Sequence, residues 1–193
     1  MSGCAGRERV QSVDEQGGAR SPGAERGGAT TLARTRAIDS LDGAVTHVVD
    51  GDTIKVEVRG FETTVRLLGI DTPETRRPGG FVQCFGPAAS DRTARLLPVG
   101  KSVRLVTDAS QDRRDRYGRL LAYVYTTRRT GPTDSINFAL VATGYAKVYI
   151  YGGRPFRYAS EFVAAEARAK ADALGLWGEP CRGDTDKREP PPR

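Results

Sequence analysis

The chain has 193 residues, 38% of them hydrophobic, and 30 Lys and Arg against 24 Asp and Glu give a formal net charge of +6. That length and apolar content fit one domain with a core of moderate size and tails. No apolar stretch approaches the roughly 20 residues of a membrane-spanning helix, and the basic balance favours a polyanionic partner without specifying one.

Residues 1–40 are rich in Gly, Ala, Ser and Arg and poor in large apolar residues, which predicts a disordered tail or tether. The folded domain is expected over 41–181, followed by a charged, Pro-rich tail over 182–193. Strands are expected at 44–49 and 53–59, the second alternating Ile54, Val56 and Val58, with Arg59-Gly60 as a turn. A third strand is expected over 62–70, then a long loop with three glycines and two prolines over 73–86. A helix follows over 87–97, stopped by Pro98-Val99-Gly100, then a strand over 102–107. After the polar loop 111–118 comes a strand over 119–126 and a helix over 135–143 that Gly144 ends. The last helix is expected over 157–173, with Tyr158, Phe162, Ala165, Ala169 and Ala173 on one face and Gly175 closing it. Five strands with interspersed helices predict an α+β fold, a five-stranded barrel of the OB type with packed helices.

Asp50, Asp52, Asp71 and Glu74 all fall at the ends of predicted strands, and strand ends of a barrel can converge. Converging carboxylates repel unless a cation or arginines compensate. With no Cys or His pair nearby, oxygen ligands favour a hard cation, Ca²⁺ or Mg²⁺, over zinc. The plain alternative is that D-G-D and D-T-P are good turn sequences and each acid caps a turn. The one histidine, His47, lies within a strand, so chemistry with paired histidines is excluded and a general base has to be a carboxylate, for which Glu74 is the candidate. Phosphoryl chemistry needs a metal, a held water and cations for charge developing on phosphate oxygens. The planar fork of arginine suits the last role, and Arg66 and Arg119 are the candidates; the plain alternative for each is a surface ion pair.

The segments VVDGDTIKV, VRLLGIDTPE, FGPAAS, DRYGRLLAYVY and GYAKVYIY, then the final helix and GLW, follow in order and spacing the pattern of the staphylococcal-nuclease-like (thermonuclease) family. The resemblance covers about residues 44–177 and implies an OB-type five-stranded barrel with three helices. It implies Ca²⁺-dependent hydrolysis of DNA and RNA phosphodiesters, single-stranded or frayed, leaving 3′-phosphate ends. Asp52 and Asp71 match the side-chain metal ligands, and Thr72 matches the residue whose backbone carbonyl is a third. Glu74 matches the group that positions the attacking water, and Arg66 and Arg119 match the phosphate-binding pair. Arg116, Tyr117, Tyr149 and Tyr151 match positions that contact the nucleotide, with Arg116 standing where the family has lysine. Asp50 matches a supporting acid. The loop 76–83 is Gly-rich and precedes Cys84, a second departure. A non-catalytic nucleic-acid-binding module of the same fold is the competing function, and it is expected to have lost at least one of Asp52, Arg66, Asp71, Glu74 and Arg119. This chain keeps all five. The basic run 113–116 fits either function.

The cysteines are Cys4, Cys84 and Cys181, none with metal-ligand spacing. Cys84 and Cys181 flank the domain and are either two free thiols or a bridge, an extracytoplasmic trait; the bridge is the expectation. MSGCAG before a polar tether resembles the cleavage site and mature start of a bacterial lipoprotein, with Met1 a start chosen too late and Cys4 the lipid anchor. As written, no charged or apolar leader precedes it, and an ordinary cytosolic tail competes. A secreted or cell-envelope monomer without a membrane span is the expectation.

Overall fold

Strand alternation builds the frame. In TIKVEV, Ile54, Val56 and Val58 turn inward and are buried while Glu57 faces solvent, so this strand presents one apolar face. The computed structural model describes residues 40–75 and 81–186. Of the stretches read as tails, 1–40 (with Cys4) and 182–193, residues 1–39 and 187–193 lie outside the described residues, as does the centre of the Gly-rich loop, 76–80; Ser40 instead belongs to a strand, and 182–186 fold into turns.

Seven strands and three helices are described: β1 (Ser40–Asp50), β2 (Thr53–Val58), β3 (Phe61–Leu67), β4 (Ile70–Asp71), α1 (Gly86–Leu96), β5 (Ser102–Val106), β6 (Leu120–Tyr125), α2 (Ile136–Ala142), β7 (Lys147–Val148) and α3 (Ala159–Ala171). Five strands close a barrel in the order β1-β2-β3-β6-β5, with β5 pairing back on β1. All neighbours are antiparallel except β3 and β6, which run parallel with Arg66 opposite Leu121. The expected OB-type α+β fold is therefore the one observed. Among the described residues no helix is long and apolar enough to cross a membrane.

Local chemistry sets the joints. Arg59 and Gly60 both take positive φ, 53° and 82°, as the tight turn between β2 and β3 requires. The third strand does not run unbroken over 62–70. It stops at Leu67, turns at Leu68-Gly69, and resumes as the separate β4, which pairs with β7. Gly69 sits at φ 79° with the Phe156 ring against it, so a side chain there would meet the ring at 2.6 Å. Ser135 caps α2 by accepting from the Phe138 amide at 3.1 Å. In α3, Phe162, Ala165 and Ala169 are buried as expected, but Ala173 lies past the helix end with positive φ and is exposed.

The core is continuous from the barrel to the helices, through Val65, Leu67, Leu105, Leu120, Tyr123, Leu140 and Phe162. Inside it, Asn137 of α2 donates to the carbonyls of Leu68 and Ala122 and accepts from the Val124 amide at 2.9 Å. One buried amide thus satisfies backbone groups where β3 leaves the barrel beside β6.

Cys84, just before α1, is bonded to Cys181, with Cα atoms 5.8 Å apart and a sequence separation of 97. The expected bridge is present. The chain continues past Cys181 in turns, with the Cys84 amide donating to the Thr185 carbonyl. A loop this long constrains the unfolded chain strongly. Cys84→Ser/Cys181→Ser is expected to lower stability in urea titrations by about 4–5 kcal/mol on the chain-entropy scale. Mass spectrometry of unreduced protein checks the bridge directly, and two alkylatable thiols in folded material would contradict it.

Candidate active site

The site begins with a tight turn. Asp50 ends β1, Gly51 turns, and Asp52 precedes β2. Gly51 lies so close to Thr72 that a Cβ would come 2.7 Å from its Oγ1, and the buried Thr93 of α1 donates to the Gly51 carbonyl at 2.6 Å. Asp52 is thereby fixed in the interior, 4% exposed, accepting from the Thr53 hydroxyl at 2.9 Å and the Thr72 amide at 3.1 Å.

Arg66 reaches this buried acid from β3. Its guanidinium donates to the carbonyls of Leu67 and Ile70 at 3.0 and 2.7 Å. One nitrogen, Nη2, lies 3.0 Å from Asp52 Oδ2 and 2.9 Å from Asp71 Oδ1. Two carboxylate oxygens, one from the turn before β2 and one from β4, are held beside one nitrogen.

Glu74 follows β4 and is half-buried. Its main chain is gripped by Gln83: the Glu74 amide donates to Gln83 Oε1 at 2.7 Å, and the Gln83 amide donates to the Glu74 carbonyl at 3.0 Å. Asp50 lies against the Glu74 carboxyl and also accepts from the Gly51 and Thr75 amides. Burial first, then the charge and contact of Asp50 and the charges of Asp52 and Asp71, push the Glu74 carboxyl up to about 7.

Arg119 enters from the start of β6. Asp115 grips it twice, accepting from its Nε at 2.6 Å and from its amide at 3.0 Å, while its Nη1 lies 3.4 Å from the Thr53 hydroxyl. Against burial, which raises it, bonds from the Arg119 side chain and from the Arg119 and Tyr117 amides hold the Asp115 carboxyl below the usual range. Arg66, Asp71, Glu74 and Arg119 line one open cleft of about 750 Å³. Its other wall carries Tyr149 and Tyr151, with ring centroids 6.4 Å apart, and Tyr117, over which the Arg116 guanidinium stacks at 4.8 Å. All three tyrosines are exposed, so packing does not account for them.

The structure thus gathers Arg66, Asp71, Glu74, Arg116, Tyr117, Arg119, Tyr149 and Tyr151 at one cleft, with Asp52 and Thr72 buried beneath it and Asp50 behind Glu74. His47 is exposed on β1. Sequence reasoning missed Asp115 and Gln83, which hold Arg119 and Glu74, and Arg154, which lines the cleft and pairs with Asp112 at 3.2 Å. Asp115 lay inside the quoted DRYGR, where its spacing of four from Arg119 was the available signal. Among the described residues no three Asp, Glu, His or Cys side chains gather at metal-ligand distances.

Four acids meet at this site with Arg66 as the guanidinium in direct contact with two of them, which leaves Glu74 poorly compensated. A carboxyl raised to about 7 keeps its proton in the fold at pH values where the unfolded chain has released it. In the absence of divalent cations, stability is therefore expected to fall as pH rises from about 4.5 to about 7. Glu74→Gln is expected to flatten that slope, as read by urea midpoints across pH; an equal slope in the variant would remove Glu74 as its source.

Comparison with known proteins agrees with this geometry. The sequence model of the staphylococcal nuclease homologue family matches residues 64–179. Endonuclease YncB of Bacillus subtilis (strain 168) is 43% identical over 134 residues, 69% of this chain and 60% of that protein. The SPbeta prophage-derived endonuclease YokF of the same organism is 42% identical over 140 residues, 72% of this chain and 45% of that protein. The thermonuclease of Staphylococcus hyicus is 37% identical over 134 residues, 69% of this chain and 73% of that protein. The chain thus spans about half the length of the two Bacillus relatives. With the barrel, the cleft and these matches together, the chain belongs to the staphylococcal nuclease homologue family.

Proposed function

We propose that this protein is a Ca²⁺-dependent nuclease that hydrolyses phosphodiester bonds of DNA and RNA internally, leaving 3′-phosphate ends. The observation that carries the reading is the meeting of Arg66, Asp71, Glu74 and Arg119 at one cleft over the buried Asp52. The relatives' names, endonuclease and thermonuclease, support the same class.

The donor set fits a hard ion. Asp52 Oδ2 and Asp71 Oδ1 flank a single cationic nitrogen, and all candidate donors are oxygen, as a site with roughly 2.3–2.6 Å metal–oxygen distances requires. Asp52, Asp71 and the Thr72 carbonyl would hold Ca²⁺, which when bound supplies the charge that polarises a phosphate and orients water. Asp50 supports the site by holding the Gly51 and Thr75 amides.

Glu74 holds the attacking water and accepts its proton, its backbone fixed by Gln83 and its carboxyl set against Asp50. The water oxygen bonds to phosphorus, the bond from phosphorus to the 5′ oxygen breaks, and that oxygen takes up a proton. Arg66 and Arg119 bind the phosphate oxygens as charge grows on them, each already aimed by carboxylates and carbonyls of the fold. Tyr149 and Tyr151 offer faces for the base, and Arg116 with Tyr117 contacts the neighbouring phosphate. A splayed base fits such a surface better than a paired one, so single-stranded or frayed substrate is preferred. A monomer that works outside the cytoplasm accords with the Cys84–Cys181 bridge.

Arg66→Lys and Arg119→Lys keep the charge and lose the fork, so each is expected to lower turnover at least about 100-fold with the fold retained by circular dichroism. Near wild-type cutting by both would remove them from the phosphate. On denatured DNA and RNA, activity is expected with Ca²⁺, to vanish reversibly with chelator, and to be abolished in Asp52→Ala and Asp71→Ala. Full cleavage in excess chelator would overturn the metal-dependent reading.

A further inference from the structure

Glu74 is held by an arrangement that reaches back to the disulfide. Gln83 is 4% exposed, and its side-chain amide serves two partners. Oε1 accepts from the Glu74 amide at 2.7 Å, and Nε2 donates to Asp186 Oδ1 at 2.9 Å. The Gln83 amide returns a bond to the Glu74 carbonyl at 3.0 Å, so both polar groups of the Glu74 backbone end on one residue. Gly86 presses on the same carbonyl, where a Cβ would stand 2.8 Å away.

The partner segment is itself fastened. Cys84, next to Gln83, is bonded to Cys181, and its amide donates to the Thr185 carbonyl at 3.2 Å. Lys147 of β7 donates to the Gly183 carbonyl at 2.9 Å and to the Thr185 hydroxyl at 3.2 Å. Lys147 also sits opposite Asp71 in the β4–β7 pair. The segment 181–186 therefore bridges Gln83 on one side and the strand beside Asp71 on the other.

We propose that Gln83 is a positioning residue for Glu74 and that the disulfide-tethered segment 181–186, through Asp186, sets the Gln83 side chain. The inference rests on the reading of Glu74 as the group that holds water. Gln83 is buried and does not line the cleft; it acts by fixing the backbone from which the Glu74 carboxylate projects. A glutamine amide has one acceptor and one donor end, and Asp186 can accept only from the donor end. That contact therefore orients Oε1 toward Glu74. Loss of the segment frees the amide to turn, and the carboxylate loses its aim.

The test uses the full chain and two readouts, turnover on denatured DNA with Ca²⁺ and hydrogen exchange of the Glu74 amide. Asp186→Ala alters a terminal turn and leaves the core intact. It and Cys84→Ser/Cys181→Ser are expected to lower kcat about 10- to 100-fold, the scale of a misplaced catalytic group, with KM unchanged. Both are expected to speed Glu74 amide exchange. Asp186→Asn still accepts from Gln83 Nε2 and is expected to match the wild type in both readouts. Wild-type exchange at Glu74 in Asp186→Ala, or a raised KM with kcat intact, would overturn the proposal. A wild type that does not cut, with exchange still responding to Asp186→Ala, would overturn the nuclease reading and support the clamp.

Discussion

The Arg66 guanidinium is the contact on which the site depends. It binds two backbone carbonyls at the exit of β3 and two carboxylates from separate strand ends. Remove it, and Asp52 is a buried carboxylate without its guanidinium partner, a loss of about 3–5 kcal/mol. The side chain is only 12% exposed, so its attraction to Asp52 is little screened by water. Fold and proposed chemistry meet in one group here: the ion that fastens β4 to the barrel is also the one proposed to bind phosphate.

The barrel supplies what such a contact requires, which is rigidity. Asn137 ties α2 to β6 and to the Leu68 turn, and Gly69 with Phe156 fixes the angle at which β4 departs. Asp71 and Glu74 stand on that departing segment, so errors in its direction would pass straight to the carboxylates. The β4–β7 pair holds its far end. Loops carry the cleft's remaining wall, but Asp115 makes the Arg119 loop stiff by accepting two amides and a guanidinium.

The barrel was legible because alternation in residues 53–58 and the apolar runs at 65–67 and 120–125 have strand period and length. The third strand was read too long because Leu68 and Ile70 are as apolar as the strand before them, and only Gly69 marks the break. The two-residue β7 leaves no periodic signal at all. Site acids and arginines stood out as charges at strand ends, yet their meeting became readable through motif order, since period says nothing about which ends converge. Gln83 and Asp115 were opaque for another reason. An amide or a loop acid gains its role from a partner brought in by tertiary structure, and nothing in its local sequence names that partner.

The parallel pairing of β3 with β6 has a consequence for synthesis. Arg66 and Arg119 come together only when strands far apart in the chain align, and the barrel closes only when β5 returns to β1. Neither event is available to a half-made chain, and contacts of such long range form late and slowly. A nascent or unfolded polypeptide therefore carries every residue of the cleft without the cleft. The cleft, and whatever chemistry it carries, therefore arises with the closed barrel and not with the synthesis of its residues.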